Sequence, residues 1–133
     1  GAVGGCQGEV GIWAAMAAGG AVWLAGGSAE AAIHAAALTI KNVLGLTCDP
    51  PASPVEVPCI KRNAMGAAVA LMGAELALAG VRSVIPPDDV VEALADTQKR
   101  LPSELKGSCG GLAATKSGDG LRQVWADKLA GMQ

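Results

Sequence analysis

Four cysteines, Cys6, Cys48, Cys59 and Cys109, are the residues of this chain best suited to chemistry. A thiolate is a nucleophile and a soft metal ligand. An even number of cysteines admits disulfides. The N-terminus, however, shows no cationic stretch ahead of an apolar run, so metal binding or catalysis is the better expectation. Cys48 follows Cys6 by 42 positions, and Cys59 follows Cys48 by 11. This is not the close-pair spacing of a zinc finger or ribbon, nor the tight run of a bacterial ferredoxin. Buried, inert cysteine remains the ordinary alternative.

The elements that must position these thiols read as helices. An Ala-rich pattern over residues 7–24 predicts a first helix, stopped by Gly26-Gly27. Ser28 is a fitting N-cap for a second, over residues 29–44. Residues 45–60 (GLTCDPPASPVEVPCI) hold Pro50, Pro51, Pro54 and Pro58, which predicts a stiff, irregular loop. A third helix is expected over residues 62–79. A fourth opens at Pro86-Pro87-Asp88-Asp89, with acids where the macrodipole favours them, and ends near Pro102. A Gly-rich turn (GSCGG) and a short helix over residues 120–129 close the chain. No strand and no repeat is evident. The expected class is all-α, a compact single domain (1–133) of about five helices with a Pro-rich loop between the second and third.

Composition narrows the function. Of 133 residues, 51% are hydrophobic and mean hydropathy is +0.39, yet there is no Phe or Tyr and only three Trp. Such a core suggests closely packed helices, or burial against another polypeptide. The net charge of −2 and the lack of a basic stripe argue against nucleic-acid binding. Residues 10–27 are uncharged and near membrane-spanning length. Their Ala and Gly make them weakly apolar, so a buried helix is expected rather than a span.

On this layout Cys6 and Cys59 precede helix N-termini, while Cys48 follows a helix C-terminus. A helix N-terminus offers unpaired N–H groups and partial positive charge, which favours thiolate and anionic clusters. The flanking segments carry more specific information. GGCQGEVG, KNVLGLTCDP and VPCIKRNAMG, followed by ALAGVRSVIPPDDVVEA and GGLAATKSGDG, resemble the alpha segment of iron–sulfur-dependent L-serine dehydratases (L-serine ammonia-lyases) over most of residues 1–118. The resemblance implies that Cys6, Cys48 and Cys59 hold a [4Fe–4S] cluster whose fourth iron lacks a permanent side-chain ligand. It implies dehydration and deamination of L-serine, or a similar β-hydroxy amino acid, to pyruvate and ammonia. No pyridoxal phosphate is expected. The same resemblance places the chain in amino-acid degradation and gluconeogenesis, in the cytoplasm.

The chain departs from that family in two places. The family loop runs close to CDPVAG, whereas this one reads CDPPASP, with Ser53 for Gly and extra prolines at Pro51 and Pro54. The family's substrate-gripping Ser-His-Thr element is absent, and the sole histidine is His34. The chain therefore resembles the C-terminal half of an alpha domain. Its expected partners are the other half, a beta chain or domain, and further copies in an oligomer. Cys109 has two readings, a fourth cluster ligand or a free thiol in a turn. As a fourth ligand it would make the chain a non-catalytic or regulatory cluster protein.

Several other residues have two readings each. Lys61 and Arg62 could pair with a cluster anion or a substrate carboxylate, or form a solvated first turn. Asn63 could hold a sulfur or a substrate group. Asp49 could orient a base, although an Asp-Pro turn is the simpler reading. Gln7 and Glu9 could support the Cys6 ligand, or supply helix-terminal polarity. His34 reads as a satisfied or solvated histidine. Trp13, Met16 and Trp23 read as core.

Overall fold

The computed structural model describes residues 3–52, 57–107 and 109–132. Ser53 and Pro54, where the loop departs from the family pattern, lie outside the described residues. A π-helical turn over Gln7–Gly11 runs directly into α1, Ile12–Leu24. There follow α2 (Ala29–Lys41), α3 (Cys59–Leu78), α4 (Pro87–Arg100) and α5 (Lys116–Ala130). Short 3₁₀ turns over Ser103–Leu105 and Gly111–Ala114 separate α4 from α5. Among the described residues there is no strand, only an isolated bridge between Cys48 and Lys106. The all-α class with five helices is as the sequence predicts.

Local chemistry sets most of the boundaries. α1 and α3 end alike, each through a glycine in the left-handed region, Gly26 at φ +80° and Gly80 at φ +88°. Gly27 N–H donates to Val22 O at 2.9 Å and Gly26 N–H to Trp23 O at 3.0 Å. Val81 and Gly80 repeat the pair against Leu76 and Ala77. These reversed bonds satisfy carbonyls that the helix leaves open. Ser28 caps α2, its Oγ accepting from Ala31 N–H at 3.1 Å.

Three boundaries differ from expectation. α3 starts at Cys59, not Arg62, because Arg62 N–H already bonds back to Pro58 O at 3.0 Å. α2 stops at Lys41, not Leu44, because Asn42 and Val43 switch to tighter bonds onto Thr39 and Ile40. α5 starts at Lys116, not Gly120, because the Thr115 hydroxyl accepts from Gly118 N–H at 3.0 Å. That cap outweighs the low helix propensity of Gly118 and Gly120.

The core sits where α1, α2 and α3 meet, and is made chiefly of alanine: Ala14, Ala18, Ala35, Ala70, Ala74 and Ala77, with Val22. Backbones approach so closely that a Cβ on Gly73 would strike Thr39 Oγ1, and one on Gly66 would lie 2.7 Å from Val10 Cγ1. α4 covers the other side of α2, placing Val90 and Leu94 against Ala15, Ala37 and Ile40. α5 rests on the 111–114 turn, apart from the bundle.

This packing overturns one expectation. Trp13, Met16 and Trp23 are not core; they are 76%, 71% and 68% exposed. An interface built from alanine and glycine has no room for indole rings. With Ala17, Gly20 and Leu24 they form an uncharged stripe on the outward face of α1. No helix among the described residues is long and apolar enough to cross a membrane.

Candidate functional site

Each of three cysteines arrives by a different route. Cys6 caps the π-helical turn and is 1% exposed. Cys59 is the first residue of α3 and is half-buried. Cys48 lies on extended chain between α2 and α3, buried, with its backbone bridged to Lys106. All three line one cavity of about 570 Å³, whose walls also include Glu9, Trp13 and Asn63. Cys6 is near enough to both other thiols for its charge to bear on theirs.

Crowding of this kind resists ionisation. Burial, followed by the nearby charges of Cys6 and Cys59, pushes the Cys48 thiol up to about 11. Burial also raises Cys59, as does the charge of Cys6, against an opposing pull from Arg62. Clustered thiolates of one sign need cationic charge among them before they can coexist. Among the described residues, no group of three His, Cys, Asp or Glu side chains converges tightly enough to hold a single metal ion. The three thiols border a space larger than one ion.

Arg62 supplies fixed positive charge beside this space. From the first turn of α3, its Nη1 donates to Asp49 Oδ1 and Thr47 O, both at 2.7 Å, and lies 3.7 Å from Cys6 Sγ. Burial opposes its charge, but Asp49 and Cys6 more than compensate, and its pKa is raised. Asp49 is only 4% exposed. Burial works to raise its pKa, yet the Leu112 N–H bond at 3.0 Å and the Arg62 pair prevail and lower it. The expectation of a simple Asp-Pro turn is therefore too small for Asp49. It links the Cys48 loop, α3 and the 111–114 turn.

The remaining candidates separate. Asn63 is on the cavity wall, whereas Lys61 is exposed on α3 and is not among the residues lining the cavity. Cys109 is exposed and lies off the cavity wall. Gln7 is fully buried. Its Oε1 accepts from Gly45 N–H at 2.8 Å and its Nε2 donates to Leu94 O at 3.5 Å, so it braces the turn after α2 against α4. Helix-terminal polarity was the wrong reading for Gln7. His34 is satisfied, its Nδ1 accepting from Ser83 N–H at 3.2 Å. It borders a separate, smaller cavity of about 200 Å³ with Ser28 and Arg82. The sequence reading missed the Leu112 amide and Arg122, which both touch the Cys48 loop. The paired glycines at 110–111 were the only local signal of that contact.

Comparisons with known proteins agree with one another. Residues 1–113 match the family model for the serine dehydratase alpha chain. The chain is 52% identical over 119 residues to the probable L-serine dehydratase alpha chain of Bacillus subtilis (strain 168), covering 89% of this chain and 40% of that protein. It is 50% identical over 132 residues to the probable L-serine dehydratase alpha chain of Latilactobacillus sakei, covering 98% and 63% respectively. Against the L-serine dehydratase alpha chain of Peptoniphilus asaccharolyticus the identity is 48% over 124 residues, covering 92% and 42%. The chain thus spans less than two-thirds of each of these relatives.

Proposed function

This chain belongs to the serine dehydratase alpha chain family, and from that premise we propose that it is the cluster-bearing part of an iron–sulfur L-serine ammonia-lyase. The substrate is L-serine or a close β-hydroxy amino acid, and the products are pyruvate and ammonia. The observation that carries this reading is the meeting of Cys6, Cys48 and Cys59 on one cavity, with the Arg62 cation against Cys6.

The donor set fits a [4Fe–4S] cluster. Three thiols surround a space too large for one ion, and their mutual repulsion calls for a multiply cationic core. When bound with three thiolates, such a cluster supplies an iron with an open position, a Lewis acid that makes the substrate hydroxyl a better leaving group. The chain's own residues do the rest of what falls to it. Arg62 offsets thiolate charge at Cys6. Asp49 keeps that guanidinium from swinging into solvent. Asn63 offers an amide donor and acceptor on the cavity wall. Trp13 and the neighbouring alanines give the cavity an apolar wall on the other side.

The uncharged stripe on α1 supports a further part of this reading. It begins at the cavity, where Trp13 is shared between stripe and wall. Its occupant is the remainder of the alpha chain, which accounts for the length by which the relatives exceed this chain. A beta chain or domain then completes the enzyme.

Anaerobic reconstitution with iron and sulfide tests the reading. Iron binding with visible charge-transfer absorption is expected, and it should be lost in C6S, C48S and C59S but kept in C109S. The isolated chain should release no pyruvate from serine, and activity should return only with the rest of the alpha chain and the beta chain or domain. A colourless, iron-free product would overturn the assignment. Loss of the cluster in C109S would transfer it to a four-thiolate, non-catalytic protein.

A further inference from the structure

Two of the three cavity thiols are fixed by the helical bundle, Cys6 at the start of the π-helical turn and Cys59 at the start of α3. Cys48 has no helix to hold it. Both of its backbone groups bond to the segment after α4: Cys48 N–H donates to Leu105 O at 2.8 Å, and Gly107 N–H donates to Cys48 O at 2.5 Å. The next residue is held by the same segment, through Leu112 N–H on Asp49 Oδ2. Two residues further on, Arg122 Nε donates to Pro51 O at 3.2 Å, while Arg122 Nη2 grips Ala113 O at 2.6 Å. One stretch of chain thus meets the loop at Cys48, Asp49 and Pro51.

The fit at the middle of this contact is tight. Gly111 adopts φ +58°, and a Cβ there would run into the Asp49 carboxylate. Glycine is the residue that permits both the backbone angle and the approach.

We infer that residues 105–107 and 110–122 form a clasp that positions the Cys48 thiol in the cavity, with Gly111 as its inner latch and Arg122 as its outer latch. Both are positioning residues, acting on the site through Asp49 and the loop backbone. Arg122 lies beyond residues 1–113, the span matched by the family model, so the outer latch is not captured by that family-wide pattern. The clasp also explains how the Cys48–Pro51 stretch, whose two prolines lack backbone donors, is kept in place. The inference rests on reading the three thiols as one ligand set.

The test is site-resolved alkylation of the full, reduced, metal-free chain by iodoacetamide, read cysteine by cysteine by mass spectrometry. In the unmodified sequence Cys109 reacts fast, and buried Cys6 and Cys48 react slowly. R122A and G111A should each raise the Cys48 rate about five-fold or more, the opening that one lost hydrogen bond allows. In R122A the Cys6 rate and the thermal midpoint of the bundle should stay unchanged. R122K, which can reach one carbonyl but not two, should fall between R122A and the parent. An unchanged Cys48 rate in both R122A and G111A would overturn the clasp, as would Cys6 and Cys48 rising together in R122A. Iron content after anaerobic reconstitution separates the two readings. If Cys48 is selectively exposed in the variants while the parent binds no iron, the clasp stands and the metal assignment falls.

Discussion

A single guanidinium nitrogen of Arg62 serves an aspartate, a carbonyl and a thiol, in a setting where the Arg62 side chain is 16% and the Asp49 side chain 6% exposed. In such surroundings, removing one partner of an ion pair leaves the other as an uncompensated buried charge. D49A should therefore cost about 3 kcal/mol or more of stability, well above a surface substitution. Denaturant unfolding would measure it, and a loss under about 1 kcal/mol would show that water replaces the carboxylate. That Cys6, Cys48 and Cys59 belong together, with Arg62 nearby, was legible from the sequence, because flanking motifs carried them. The roles of Asp49 and Gln7 were not. Their partners lie 63 and 87 positions away, at Leu112 and Leu94, and no local pattern encodes a contact of that range.

Helix boundaries that carry a local chemical signature were the readable ones. Gly26 and Gly80 mark left-handed stops, Ser28 marks a cap, and Pro87 with two acids marks a first turn. Each is a local chemical requirement, so sequence reveals it. The start of α5 was hidden because its cap, Thr115, is followed by two glycines that argue against a helix. Two substitutions separate local from global stability at this scale. T115A removes a cap worth about 1 kcal/mol, but α5 stands apart from the bundle. It should fray α5, seen as faster amide exchange over residues 116–122, and leave the main melting transition in place. G73A forces a methyl against Thr39 Oγ1 and the Ala35 carbonyl where α2 and α3 meet. It should lower the main transition, by about 1–3 kcal/mol of overpacking. A reversal of these two outcomes would mean that α5 is part of the cooperative core.

For the whole molecule, the small-residue composition announced closely packed helices, and the structure has them. Helices that meet through alanine and glycine leave their larger side chains outside. Trp13, Met16, Trp23 and Leu24 on α1, with Leu71 on α3, are all more than 60% exposed. Uncharged surface of this kind on a folded chain marks a contact site. The chain should bind a separately produced remainder of the alpha chain, and W23S should weaken that binding at least ten-fold, as an interface tryptophan does. Isothermal titration would read it. Equal affinity for W23S and the parent would move the contact off this face.

The seat of Trp13 also has an optical consequence. With no Tyr or Phe in the sequence, ultraviolet emission comes from Trp13, Trp23 and Trp125. Trp125 belongs to α5, under the Lys128 ammonium 4.6 Å from its ring centre, and Trp23 lies at the far end of α1. Only Trp13 forms part of the cysteine cavity's wall. A chromophore entering there would drain its excited state by resonance transfer before that of either other indole. The protein therefore carries its own fluorescent gauge of what enters that cavity.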